Sequence, residues 1–190
     1  IVVVAFGQFL RRPLLDLPPM GCVNVHGSLL PRYRGAAPIQ WAIARGETVS
    51  GVTVMFMDER MDAGDILAQA SEPIRGDDTG GTLHDRLALL GAGLLVRTLG
   101  ELREGRAARR PQDPALVTFA PSLRKADGLL NWALPAKELF DRVRAFQPWP
   151  GCACEAPAGS GRMVKVIKAR VEAWNGAPAA PGTVLETSAC

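Results

Sequence analysis

Ile1-Val2-Val3-Val4-Ala5-Phe6 is apolar throughout and largely β-branched, the pattern of a strand covered on both faces, and Gly7 ends it. A shorter run follows at residues 23–26. Here Val23 and Val25 alternate with Asn24 and His26, so one face of the strand carries two apolar side chains and the other an amide and an imidazole. Between the two runs, residues 11–17 can form a short helix, broken by Pro18-Pro19. Pro38 suits the first turn of a helix through Ile39, Trp41, Ala42 and Ile43, and Gly46 suits its end. Residues 51–58 read as a mostly apolar strand, 59–65 as an acidic turn and 66–74 as a further strand. Residues 77–82 supply turn and N-cap groups for a long helix in which Leu83, Leu87, Leu90, Leu94 and Val96 or Leu99 recur at helical spacing, ending near Gly105. Strands alternating with helices predict an α/β fold on a parallel-type sheet with handed crossovers.

After residue 107 the pattern changes to arginines, prolines and short apolar islands, so residues 108–126 are expected to be a linker on the surface. A second unit spans residues 127–190. It opens with a helix over 139–146, stopped by Gln147-Pro148-Trp149-Pro150-Gly151. Short strands at 152–155, 163–169 and 183–186 then predict a small β-barrel or sandwich. The chain opens inside what reads as a core strand, and its last predicted strand has no following partner. It is therefore expected to be part of a longer protein.

Composition narrows the class. With 47% apolar and 22% charged residues, a chain of 190 residues can bury a substantial core. No apolar run approaches the roughly 18 residues of a membrane span, and the first residues lack the basic flank and cleavage site of a signal peptide. A cytoplasmic protein with no membrane association is the expectation. Cys22, Cys152, Cys154 and Cys190 show no CxxC pair, and no histidine neighbours Cys152 or Cys154, so reduced thiols and no metal are expected. The net charge of +3 hides an asymmetry. Residues 1–102 carry nine Lys/Arg against eleven Asp/Glu, whereas residues 103–170 carry thirteen against six. A basic second unit fits either an anionic macromolecular partner or a solvated basic face.

The candidate chemistry gathers at the end of the Val23 strand and in the turn holding Asp62. Asn24 and His26 share a strand face, and a neighbouring strand can bring Asp62 beside them. An amide donor next to an imidazole that a carboxylate orients and keeps charged can stabilise an oxyanion in acyl transfer. Ser28 and the cysteines sit in no nucleophile elbow, so the attacking group is expected to come from the substrate.

Residues 24–40, Asn-Val-His-Gly-Ser-Leu-Leu-Pro-Arg-Tyr-Arg-Gly-Ala-Ala-Pro-Ile-Gln, with Gly51-Val52-Thr53, Met61-Asp62-Ala63-Gly64-Asp65-Ile66 and residues 145–151, resemble the 10-formyltetrahydrofolate-dependent formyltransferases. Within that family the chain looks most like the members that act on methionyl-tRNA. The resemblance implies a Rossmann-like catalytic domain, of which residues 1–107 are the C-terminal part, then a linker, then an OB-fold-like barrel that is incomplete here. It implies catalytic roles for Asn24, His26 and Asp62, folate contacts at Ser28, Leu29, Leu30 and Pro31, and no metal. One of the two leucines can equally serve as an ordinary core residue. The implied reaction transfers the formyl group of 10-formyltetrahydrofolate to the α-amino group of methionine on initiator tRNA, for translation initiation. A monomer is expected, with Arg142, Arg144, Lys165 and Lys168 as leading candidates for phosphate contacts. Family members carry a further N-terminal segment with a tRNA-contacting loop.

Rival readings are related formyltransferases acting on glycinamide ribonucleotide or an amino-sugar nucleotide, and a formyltetrahydrofolate hydrolase. From other classes come a dinucleotide-binding dehydrogenase, for which the chain offers no GxGxxG, and a non-catalytic RNA-binding module, which leaves Asn24, His26 and Asp62 unexplained.

Overall fold

A computed structural model describes residues 1–157 and 159–186. Four strands, β1 (Val2–Val4), β2 (Val23–His26), β3 (Val49–Phe56) and β4 (Ile66–Pro73), form one sheet in that order, with the short helix α1 (Arg12–Leu15) between β1 and β2. The α/β class holds, but the sheet is mixed. Only β1 and β2 run parallel; β3 is antiparallel to β2, and β4 to β3. The cause lies in the connections. Helix α2 (Pro38–Ala44) has seven residues and rises only about 10 Å, too little to carry the chain back along the sheet, so β3 starts at the end where β2 stopped. Residues 57–65 then return the chain as a wide hairpin, which a reading by helix–strand alternation does not distinguish from a crossover.

The period of two seen at residues 23–26 organises the whole sheet. On one face Val25, Val52 and Val54 meet Leu83, Leu87 and Leu94 of the long helix α3 (Gly80–Arg103), giving the main core. Thr79 caps α3 reciprocally with Thr82. On the opposite face β2 presents Asn24 and His26 beside Met55 and Thr53 of β3. That face is covered by the loop after β2, whose Leu30 packs on Met55 and Ile66.

Helix α4 (Ala136–Ala145) packs against α2, and Val143, Ala145 and Phe146 join the main core rather than a separate one. Trp41 meets Phe146 edge-on, with ring centroids 5.7 Å apart. Beyond α4, β5 (Cys152–Glu155) and β6 (Met163–Val166) pair as an antiparallel ribbon. The strand predicted over 163–169 is thus shorter than expected, and residues 183–186 form no strand. Among the described residues, no helix is long and apolar enough to cross a membrane.

Candidate active site

His26 lies at the end of β2 and is 6% exposed. Its Nε2 stands 2.9 Å from the carbonyl oxygen of Tyr33. A carbonyl only accepts, so Nε2 carries the proton and Nδ1 is the nitrogen turned toward Asp62, 3.7 Å from Oδ2. That separation is within reach of an ion pair but too long for a hydrogen bond. Asp62 is itself anchored, since its Oδ2 accepts the Gly35 amide at 2.8 Å. Asn24 makes no side-chain hydrogen bond among the described residues and keeps its amide open on the same face as His26. The sequence-predicted trio is thus brought to one face, with the imidazole edge and the amide still able to bond a substrate.

Two residues beside the site hold left-handed backbone without being glycine: Tyr33 at φ 62° and Asp62 at φ 49°. Each costs about 1–2 kcal/mol. The surroundings impose it. Gly35, at φ 120°, lies so close to Ala120 that a Cβ would stand 2.5 Å from its carbonyl oxygen, and a Cβ on Gly64 would stand 1.9 Å from the oxygen of Phe56. Both loops therefore need glycine to approach as closely as they do.

Residues 28–31 are pinned from beneath. The Thr53 hydroxyl donates to Ser28 O at 2.6 Å and accepts from Leu30 N–H at 3.1 Å, and Gln69 Nε2 donates to Leu30 O at 2.9 Å. Ser28 is buried and donates its own hydroxyl to Arg32 O. Leu30 is a core residue, while Leu29 and Pro31 remain half-buried. Thr53 entered the sequence reading only within the Gly51-Val52-Thr53 motif and Gln69 not at all; the signal for Thr53 was a hydroxyl inside an otherwise apolar strand.

Tyr33 also donates its hydroxyl to Glu47 at 2.7 Å, and Arg32 and Arg45 approach its ring. Burial, with help from Glu47, pushes this phenol up to about 12, so it stays a donor. Burial lowers the Arg34 guanidinium from its ordinary value. Cys152 is buried against Arg142 O, and burial pushes its thiol up to about 11, which marks a packing residue and no nucleophile.

The four basic candidates separate. Lys165 and Lys168 are exposed, with no carboxylate partner among the described residues. Arg142 is half-buried and pairs with Glu138 at 3.2 Å, one turn earlier. Arg144 corrects the expectation: it is buried, bonds Asp141 at 2.8 Å, and donates to the carbonyls of Arg75 at 3.1 Å and Asp78 at 3.0 Å. Its donors tie α4 to the turn before α3 and are not free for a phosphate.

Residues 1–99 match the family model described as formyl transferase, and residues 122–189 match that of the formyl transferase C-terminal domain. The chain is 50% identical over 185 residues to methionyl-tRNA formyltransferase of Pelobacter propionicus, covering 97% of this chain and 56% of that protein. It is 48% identical over 188 residues to methionyl-tRNA formyltransferase of Desulforamulus reducens, covering 99% and 58%. The chain therefore spans little more than half the length of these relatives. Among solved structures, a 4-N formyltransferase from Francisella tularensis superposes with a TM-score of 0.74 at 18% identity, covering 90% of this chain and 71% of that one. An N-formyltransferase from Helicobacter canadensis, in complex with folinic acid and dTDP-3-aminofucose, gives 0.62 at 25% identity, covering 65% and 46%.

Proposed function

The chain belongs to the formyl transferase family, and from that premise we propose that it carries out the chemistry of a methionyl-tRNA formyltransferase, moving a formyl group from 10-formyltetrahydrofolate to the α-amino group of initiator methionyl-tRNA in the cytoplasm. The observation that carries this reading is the buried His26 facing an anchored Asp62 on the one sheet face where Asn24 keeps its amide open. Identity to methionyl-tRNA formyltransferases near 50%, against 18–25% to formyltransferases of other descriptions, favours the tRNA acceptor.

The folate supplies the activated formyl group. For the planar heterocycle, Leu29 and Pro31 offer half-buried apolar walls, while Ser28 and Leu30 shape the loop from beneath. Asn24 donates to the formyl oxygen as negative charge develops there, and His26, in its charged form with a proton on Nδ1 as well, donates to the same oxygen. Asp62, held at Oδ2 by Gly35, is placed to take the proton that the attacking amine releases; as the bond from the formyl carbon to N10 of the folate breaks, that proton passes to N10 and tetrahydrofolate leaves. Of the four candidates, exposed Lys165 and Lys168 are the ones open to tRNA phosphates, with Arg142 a partial contributor.

The test is a formylation assay on the full-length protein with three acceptors side by side: charged initiator tRNA, glycinamide ribonucleotide and an amino-sugar nucleotide. Formylation of the tRNA alone is expected. Preference for either small acceptor, or release of formate without an acceptor, would overturn the assignment.

A further inference from the structure

Residues 110–120, expected only to connect two units, lie along both loops that build the site. At one end the backbones of Arg110 and Ile66 exchange two hydrogen bonds, at 2.8 and 2.9 Å. At the other, Thr118 and Ala120 bond the backbone of residues 33–37: Thr118 Oγ1 accepts from Tyr33 at 2.8 Å, and Ala120 donates to Arg34 at 2.7 Å. Gln112 sits between them and uses its whole amide. Nε2 donates to the carbonyls of Asp62 at 2.9 Å and Gly64 at 2.8 Å, while Oε1 accepts from Arg34 Nε at 3.1 Å and Nη2 at 2.7 Å. Two donors and two lone pairs are what a primary amide has, so nothing is left over for solvent.

The turn that Gln112 holds is the one with left-handed backbone at Asp62. Such a conformation persists only where its surroundings determine it. The Asp62 carboxylate meets the His26 loop through Gly35, so the turn is held at its side chain by that loop and at its carbonyls by Gln112, which is in turn held by Arg34 next to Gly35. We propose that Gln112 is a positioning residue for formyl transfer: it locks the Asp62 turn to the His26 loop and so sets the spacing between carboxylate and imidazole. The proposal rests on reading Asn24, His26 and Asp62 as the catalytic set.

Two variants in the full-length protein separate its parts. Gln112→Glu keeps an oxygen toward Arg34 but replaces the donors to Asp62 and Gly64 by a second oxygen; Gln112→Met keeps the bulk and loses every hydrogen bond. Both are expected to lower kcat by about ten- to a hundredfold, the scale of a small misplacement of a reacting group, with the KM for folate and for tRNA nearly unchanged. Hydrogen exchange supplies a readout independent of turnover. The Gly35 amide, protected by Asp62, should exchange faster in both variants while amides of α3 keep their wild-type rates. Wild-type kcat in both variants, unchanged Gly35 exchange, or faster exchange spread evenly with a lowered midpoint of unfolding would each overturn the proposal. A wild-type protein that formylates no acceptor would overturn the functional reading instead, and Gly35 exchange would still decide whether Gln112 holds the turn.

Discussion

Two clusters of charged and polar side chains among the described residues are centred on buried groups, and they are built on opposite plans. Around α3 and α4, Arg86 bonds Glu72, Asp78 and the carbonyl of Pro73. Asp78 accepts in addition from the Arg75 amide and the Thr82 hydroxyl. Asp141 takes both Arg144 and Lys137, and Arg144 donates on to two carbonyls. The buried charges there, Asp78, Asp141 and Arg144, are each answered more than once. At the end of β2, by contrast, His26 and Asp62 stop short of a hydrogen bond to each other, the Asn24 amide has no partner among the described residues, and two non-glycine residues hold strained backbone. Saturation fixes one piece of chain to another. Unfilled hydrogen-bonding capacity on a rigid frame is what a reacting group can use.

The largest effect should come from breaking the saturated cluster. Arg144→Met leaves the buried Asp141 with Lys137 alone and takes a charged donor from the carbonyls of Arg75 and Asp78, so unfolding by urea should show a loss of about 3–5 kcal/mol. Turnover per folded molecule should stay near wild type. If the variant instead kept its stability and lost affinity for tRNA, Arg144 would belong to the interface after all.

The unsaturated cluster should respond the other way round. Asn24→Ala and His26→Ala are expected to lower kcat by about 10²–10³, equivalent to about 2.7–4 kcal/mol, with folate KM nearly unchanged and little lost in stability for the half-buried Asn24. Asp62→Asn keeps an oxygen for the Gly35 amide but removes the base, so kcat should fall by about 10² or more while Gly35 stays protected from exchange. Steady-state kinetics with wild-type kcat in any of the three would remove that residue from the chemistry.

A smaller, pH-dependent effect follows from Asp78. The Arg86 guanidinium holds this carboxyl down to about 2, against about 3.9 in an unfolded chain. A depressed carboxyl stabilises the fold above its unfolded value, and the contribution vanishes as pH falls from about 4 toward 2. It amounts to on the order of 2 kcal/mol. Urea midpoints measured from pH 5 to 2.5 should fall over that window. Asp78→Asn should flatten the decline, and a decline of wild-type steepness in that variant would assign the acid sensitivity elsewhere.

The same contrast explains what could be read before any coordinates. Period-two alternation marked β2 to the residue and put Asn24 and His26 on one face, because side-chain direction in a strand is a local property. Leucine spacing likewise marked α3. Strand direction was misjudged, since it depends on how far α2 travels and on a hairpin that looks like any acidic turn. Arg144 was misplaced because a charge is surface-seeking by default, and only Asp141 and two carbonyls, the latter from distant residues, make its burial possible. Gln112 stayed invisible as a neutral amide in an arginine- and proline-rich tract, where nothing local announces four hydrogen bonds to residues far away in sequence.

The smallest predicted effect probes cations outside both clusters. Lys165 and Lys168 are exposed on and just beyond β6, without carboxylate partners among the described residues. If they meet tRNA phosphates, each contact releases condensed counterions, and reversing one lysine to Glu should flatten the plot of log affinity against log salt by about 0.7–0.9 units. Affinity should drop alike for initiator and elongator tRNA, because phosphate contacts position a nucleic acid without reading its sequence. Folate KM and the urea midpoint should not move. Filter binding of the Lys165→Glu and Lys168→Glu variants across a salt series decides the matter: an unchanged slope for both would leave the basic ribbon as solvated surface.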